Sequence, residues 1–179
     1  MLDKVVIESL AARIRREFEF QLEKFGEVLS NLPLWTCAAA LAYHGLLGPV
    51  NAMWLDENYF DFALSKIPEQ HLTALVSCVT GIVIIRDFSD CDLVTILDSI
   101  KSKSLNIFQS RRLGREETRA LVRAMETRVE RVELEVDSFD AETLVEYSGQ
   151  GRCWECSATC TSEMESIPAV GTLRRHCPN

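Results

Sequence analysis

Apolar positions along this chain fall on helical faces, spaced i, i+3, i+4 and i+7, and each such segment precedes a short run in which apolar and polar residues alternate. The clearest faces are Leu72, Leu75, Val76 and Val79, then Leu93, Ile96, Leu97 and Ile100, then Thr118, Leu121, Val122 and Met125. A weaker copy is Ala141, Leu144, Val145 and Ser148, and an earlier member, Ala38, Leu41, Ala42 and Gly45, stands further upstream. The alternating runs are Val50 to Leu55, Ile82 to Ile85, Leu105 to Phe108, Val129 to Val136 and Cys153 to Cys156, with inward pairs Met53/Leu55, Val83/Ile85, Leu105/Ile107 and Val132/Leu134. One helix and one strand therefore recur in roughly 25 residues, the period of a stacked repeat. Pro68 suits a first helical position, and Asp90 and Asp140 suit helix caps. Acidic residues in the following turns, Glu69, Asp92, Glu116, Glu117 and Glu142, complement the helix dipole.

The two ends differ from the middle. Residues 1–31 carry an apolar stripe, Ile7, Leu10, Ala11, Ile14, Phe18, Leu22, Phe25 and Leu29, interrupted by Arg13, Arg15, Arg16, Glu17 and Glu23. This is an amphipathic helix or helix pair, expected to cap one end of the stack. Residues 157–179 are rich in Ser, Thr, Cys and Pro without periodicity, and Pro168 falls where the next helical face would lie. A poorly ordered tail is expected there, with the last strand, Cys153 to Cys156, left as an open edge.

The strand segments resemble leucine-rich repeats of the form L-x-x-L-x-L-x-x-N/C-x-L. Val50-x-x-Met53-x-Leu55-x-x-Asn58-x-Phe60 matches over the full length, and Val129-x-x-Val132-x-Leu134-x-x-Asp137-x-Phe139 matches with Asp for Asn. The other two units depart, with Ser110 and Phe88 at the Asn position and Leu113 one residue late. The resemblance covers residues 34–156. It implies an α/β fold: a short solenoid of about five helix-strand units with parallel strands in sequential order, preceded by the amphipathic helix. The same alternation also describes a doubly wound α/β sheet, which would carry an enzyme at a strand-order reversal. A second resemblance lies in Ser9-Leu10-x-x-x-Ile14-x-x-x-Phe18 followed by Leu32-Pro33, similar to the elongin-binding box of ubiquitin-ligase substrate receptors. It implies adaptor docking through Leu10, Ile14 and Phe18, although that box usually has Cys in place of Ile14 and a smaller residue in place of Phe18.

Composition narrows the functions. With 27 acidic and 19 basic residues the net charge is −8, which disfavours binding to nucleic-acid phosphates. From Val28 to Leu55 there is no Asp, Glu, Lys or Arg, a stretch long enough to span a bilayer, but Pro33, His44, Gly48 and Pro49 interrupt it. A buried helix followed by a buried strand is expected there, with no membrane partner. The amino terminus lacks a secretory apolar core, and the seven cysteines are odd in number, with Cys37, Cys78 and Cys91 among aliphatic neighbours. A cytoplasmic protein with reduced thiols is expected.

No catalytic constellation emerges from His44, His71 and His176, so the chain is read as a non-enzyme without a cofactor. Ser148-Gly149-Gln150-Gly151 follows a helix, where Gly149 suits a C-cap rather than a phosphate cradle. Cys153-x-x-Cys156-x3-Cys160 with His176 and Cys177 is an alternative zinc set, opposed by residues three apart on a strand pointing to opposite faces. The arginines at 111, 112, 115, 119, 123, 128 and 131 are interleaved with glutamates and read as a solvated, salt-bridged surface. The expected function is that of a scaffold that binds a protein ligand on its strand face. The outward residues there are Trp54, Asp56, Ile84, Arg86, Asn106, Phe108, Arg131, Glu133 and Glu135.

Overall fold

A computed structural model describes residues 3–20, 32–56, 67–88, 90–127, 129–138, 140, 154–156 and 169–175. Among them are five helices, α1 (Lys4–Phe20), α2 (Leu32–Tyr43), α3 (Glu69–Ser77), α4 (Asp90–Ser99) and α5 (Arg115–Thr127). The strands are β1 (Val50–Asp56), β2 (Val79–Arg86), β3 (Ser104–Arg112), β4 (Arg131–Ser138), β5 (Trp154–Cys156) and β6 (Ala169–Arg175). The uncharged stretch from Val28 thus becomes, where described, α2 followed by β1, and no described helix is long and apolar enough to cross a membrane.

The fold is mixed α/β, with β1, β2, β3 and β4 parallel and adjacent in chain order. A parallel crossover is almost always right-handed, so a strand order that never reverses puts α3, α4 and α5 on one side of the sheet. Burial agrees. Leu72, Leu75, Val76 and Val79 are buried, as are Leu93, Ile96, Leu97 and Ile100, and Thr118, Leu121, Val122 and Met125. They cover the inward pairs Met53/Leu55, Val83/Ile85, Leu105/Ile107 and Val132/Leu134, also buried and in register across the four strands. The fourth helical face, Ala141 to Ser148, lies outside the described residues.

Backbone bonds repeat at the strand entrances: Val50 N donates to Cys78 O, Lys103 N to Thr80 O, and Glu130 N to Lys103 O. Side chains tie the helix layer as well, with Ser77 Oγ donating to Ser99 O at 3.0 Å and Arg123 to both carboxylate oxygens of Asp98 at 3.0 Å. At the β1 edge, Thr80 and Gly81 of β2 together oppose the single residue Asn51, a bulge in β2, and the Asn51 carbonyl lies where a Cβ on Gly81 would sit, so only glycine fits there.

Helix α1 packs against β1, burying Ala11, Ile14 and Phe18, with the Phe18 ring 4.6 Å from that of Trp35 on α2. Arg15 Nη1 donates to Leu47 O, locking α1 to the loop that enters β1. That loop begins at Gly45, whose positive φ of 68° lets Gly45 N reach Ala42 O and Leu46 N reach Leu41 O, closing α2 with a Schellman motif.

Several expectations need correction. Pro68 precedes α3 in an extended conformation, as an N-cap without a side-chain bond, and Asp90 is already helical. Of the run from Cys153 to Cys156, Trp154–Cys156 is observed as β5, but it is not the fifth parallel neighbour. The order is β1-β2-β3-β4-β6-β5, with β6 antiparallel to β4 and β5 antiparallel to β6. Residues 169–175, expected to be part of a disordered tail, instead form β6. Pro168 bars a helix but is compatible with a strand beginning at Ala169, and Val170 and Thr172 are good strand formers. The open backbone of β4 offers that short segment a full ladder.

Candidate interaction surface

Alternation along β1 to β4 creates a second face, pointing away from the helix layer. Its cross-strand rows follow from the register. One row joins Trp54, Ile84, Asn106 and Glu133, and the next joins Asp56, Arg86, Phe108 and Glu135. Arg131 stands opposite Ser104 in the row before. The nine residues singled out from the sequence are therefore gathered on one face of four adjacent strands.

They are not equally accessible. Asp56 is 1% exposed and Ile84 8%, so neither presents a side chain to a partner. Trp54 is half-buried and packed against the core, while Asn106, Phe108 and Glu133 are half-buried and Arg86, Arg131 and Glu135 exposed. The accessible part lies over β2, β3 and β4. Within it Asn106 Nδ2 donates to Glu133 Oε2 at 2.9 Å, and Arg131 Nη2 donates to Glu133 Oε1. Arg86 lies 3.7 Å from the Asp87 carboxylate, a loose surface pair. Glu135 has no hydrogen bond or ion pair among the described residues.

The carboxyl ends of β2 and β3 carry a polar tie that the sequence reading missed. Phe88, which breaks the repeat motif at the Asn position, is fully buried. One residue earlier, Asp87 adopts a left-handed φ of 51°, donates its N–H to Phe108 O and accepts from Ser110 N at 2.9 Å. Asp87 thus bonds the neighbouring strand β3 through both its backbone and its side chain. Arg111 donates to Phe88 O at 2.6 Å and to both oxygens of Glu117, at 2.6 and 2.9 Å. Glu117, 2% exposed, also accepts from Gly114 N at 2.8 Å, the reciprocal half of a capping box with glycine at the N-cap. The spacing Gly-x-x-Glu at the start of α5 was the available signal. Reading every arginine here as solvated is corrected for Arg111, whose partner lies in the core. Arg119 with Glu116 and Arg123 with Asp98 remain surface pairs.

The adaptor-docking residues do not share an exposed face. Leu10 is 39% exposed, but Ile14 and Phe18 are buried against β1 and α2, where their size fits the core and their contacts are already used. Of the alternative zinc ligands only Cys156 is described, on β5; Cys153, Cys160, His176 and Cys177 lie outside the described residues. Among the described residues no group of three or more His, Cys, Asp or Glu converges. His44 and His71 flank Tyr43, His71 stacking on its ring at 4.4 Å and His44 meeting it edge-on at 5.2 Å, with no nucleophile in that cluster. The glycine-rich segment 148–151 is outside the described residues. Cys37 and Cys78 are free thiols, and burial pushes the Cys78 thiol up, with the charge of Lys101 pulling the other way.

No family model, curated protein or solved structure matches the chain.

Proposed function

We propose that this chain is a short leucine-rich-repeat-like βα solenoid that works as a non-enzymatic protein-binding module, with α1 covering its β1 end. The observation that carries the reading is the strand face itself, on which Phe108 stands half-exposed between Arg86 and Glu135. Aromatic and arginine side chains in such a setting are the usual anchors of an interface. The repeated backbone bonds between strand entrances support a stack of equivalent units. The unreversed order of β1 to β4 also supports binding over catalysis, because an open α/β sheet forms its ligand crevice where strand order reverses. Free thiols at Cys37 and Cys78 support a reducing, cytoplasmic setting.

A photo-cross-linking residue in place of Phe108 tests the assignment. A discrete protein adduct is expected from that position, and it should disappear when Trp54 and Arg86 are changed to alanine. Adducts formed only from Arg119, on the outer helix layer, would place binding on the opposite side and overturn the reading. So would a co-purifying partner that stays bound after alanine replaces Trp54, Arg86 and Phe108 together.

A further inference from the structure

The row Arg86, Phe108 and Glu135 has a spacing and a charge order that restrict what can lie on it. Adjacent strands are about 4.8 Å apart, so the two charged residues stand roughly 10 Å apart with the aromatic ring between them. A helix advances about 10.5 Å over seven residues and presents i, i+3, i+4 and i+7 on one face. An extended strand advances about 6.7 Å between residues on the same side, and its residue i+3, about 10 Å along, points away, so it cannot match both ends of the row. The next row cannot offer equivalent charges, because Asn106 and Arg131 already engage Glu133. Glu135 is exposed and unpaired among the described residues, and Arg86 holds its own carboxylate only loosely at 3.7 Å, so both can engage a partner.

We infer that this row docks an amphipathic helix of a partner protein, laid across the strands. Its acidic side chain sits at Arg86, its apolar residues at i+3 and i+4 pack on Phe108, and its basic side chain one heptad away sits over Glu135. The inference rests on the strand face being the binding face. The row supplies orientation and selectivity through opposite charges at its two ends, while Phe108 supplies the apolar contact.

Three stapled helical peptides test it, sharing leucines at i+3 and i+4 and differing at i and i+7: Glu with Arg, Arg with Arg, and Glu with Glu. At about 0.15 M salt, where long-range charge effects are largely screened, the wild-type chain is expected to bind the mixed peptide about fivefold more tightly than either like-charged one. Arg86→Glu should transfer the preference to the Arg/Arg peptide and Glu135→Lys to the Glu/Glu peptide, and the double variant should again prefer the mixed peptide. Both sites are surface positions, and circular dichroism confirms that each variant is folded. Equal binding of all three peptides by the wild type, or a preference unmoved by the reversals, overturns the inference. Equal binding of an unstapled, proline-interrupted peptide assigns the row to an extended ligand instead. Self-association of the chain that Phe108→Ala abolishes assigns it to a second copy. If cross-links from position 108 still capture a protein while the peptides show no selectivity, the binding face stands and the helical ligand falls.

Discussion

Ile107 and Phe108 are neighbours in β3, yet they belong to different surfaces. Ile107 lies under the helix layer at 0% exposure, in a row of aliphatic residues from Leu55 to Leu134. Phe108 lies on the open side between two charges. This covered row is chemically uniform, because any aliphatic residue that fills the space satisfies it. The open face is heterogeneous, because packing does not dictate its residues. One side of the sheet specifies the fold, and the other carries the residues of the proposed binding face.

Aspartate at each position breaks this comparison most severely. Ile107→Asp buries an uncompensated carboxylate and removes core volume, a loss of more than about 4 kcal/mol, enough to abolish the cooperative thermal transition. Phe108→Asp should keep the transition within a few degrees of wild type while eliminating the cross-linked partner. Equal destabilisation by the two changes would mean that the open face is covered.

The polar tie above the covered face gives the next effect. Glu117→Ala removes the carboxylate that Arg111 and Gly114 N share, leaves Arg111 its bond to Phe88 O, and is expected to cost about 2–3 kcal/mol, less than a fully buried pair because Arg111 is partly solvated. Glu116→Ala, which breaks only a surface pair with Arg119, should cost less than about 0.5 kcal/mol in the same urea titration.

A smaller and opposite effect is expected at Gln109, which follows Leu105 and Ile107 on the covered side. Its side chain is 4% exposed, and neither Nε2 nor Oε1 has a hydrogen-bond partner among the described residues. Gln109→Met keeps the volume and removes the buried amide, so unfolding stability should rise by about 1 kcal/mol. Cys78 gives the smallest effect. Burial holds its thiol protonated, so above about pH 8.5 the unfolded chain releases a proton that the folded chain keeps, and stability declines as pH rises. Below that range both states are protonated and the contribution is flat. Denaturant titrations across this range should show a shallower decline for Cys78→Ala than for wild type.

The difference between the two faces also explains how much was legible in the sequence. Leu72, Leu93 and Leu121 announced their helices because burial imposes a period that survives changes of residue type. The inward pairs of β1 to β4 announced their strands in the same way. The helix packed against β1 was readable in the stripe through Ala11, Ile14 and Phe18. The docking role assigned to Ile14 and Phe18 was not compatible with the burial that the same stripe implies. β6 escaped notice because seven residues with a glycine third among them carry too little alternation to stand out from a coil. Its partner is set by the free edge of β4, not by anything within it. Asp87 was overlooked because its bonds to β3 depend on the backbone conformation after β2, which no spacing of residue types reveals. Among the outward residues, alternation identified the face but could not separate buried Asp56 and Ile84 from exposed Arg86 and Glu135, since that depends on what the rest of the chain covers.

The antiparallel seam between β4 and β6 has a consequence for the sequence of folding events. Parallel neighbours β1 to β4 join segments close in the chain, whereas Arg131 pairs with Arg174 and Val136 with Ala169, closing the longer loop that contains β5. Ordering that loop costs more chain entropy, so the seam is expected to form after the parallel strands and to reopen before them. Amide exchange should find β6 less protected than β2 or β3, with β4 protected on the side it shares with β3. While the seam is open, β4 becomes the sheet's terminal strand, and the newly exposed backbone ladder is available to any strand that reaches it first, including β6 of another molecule.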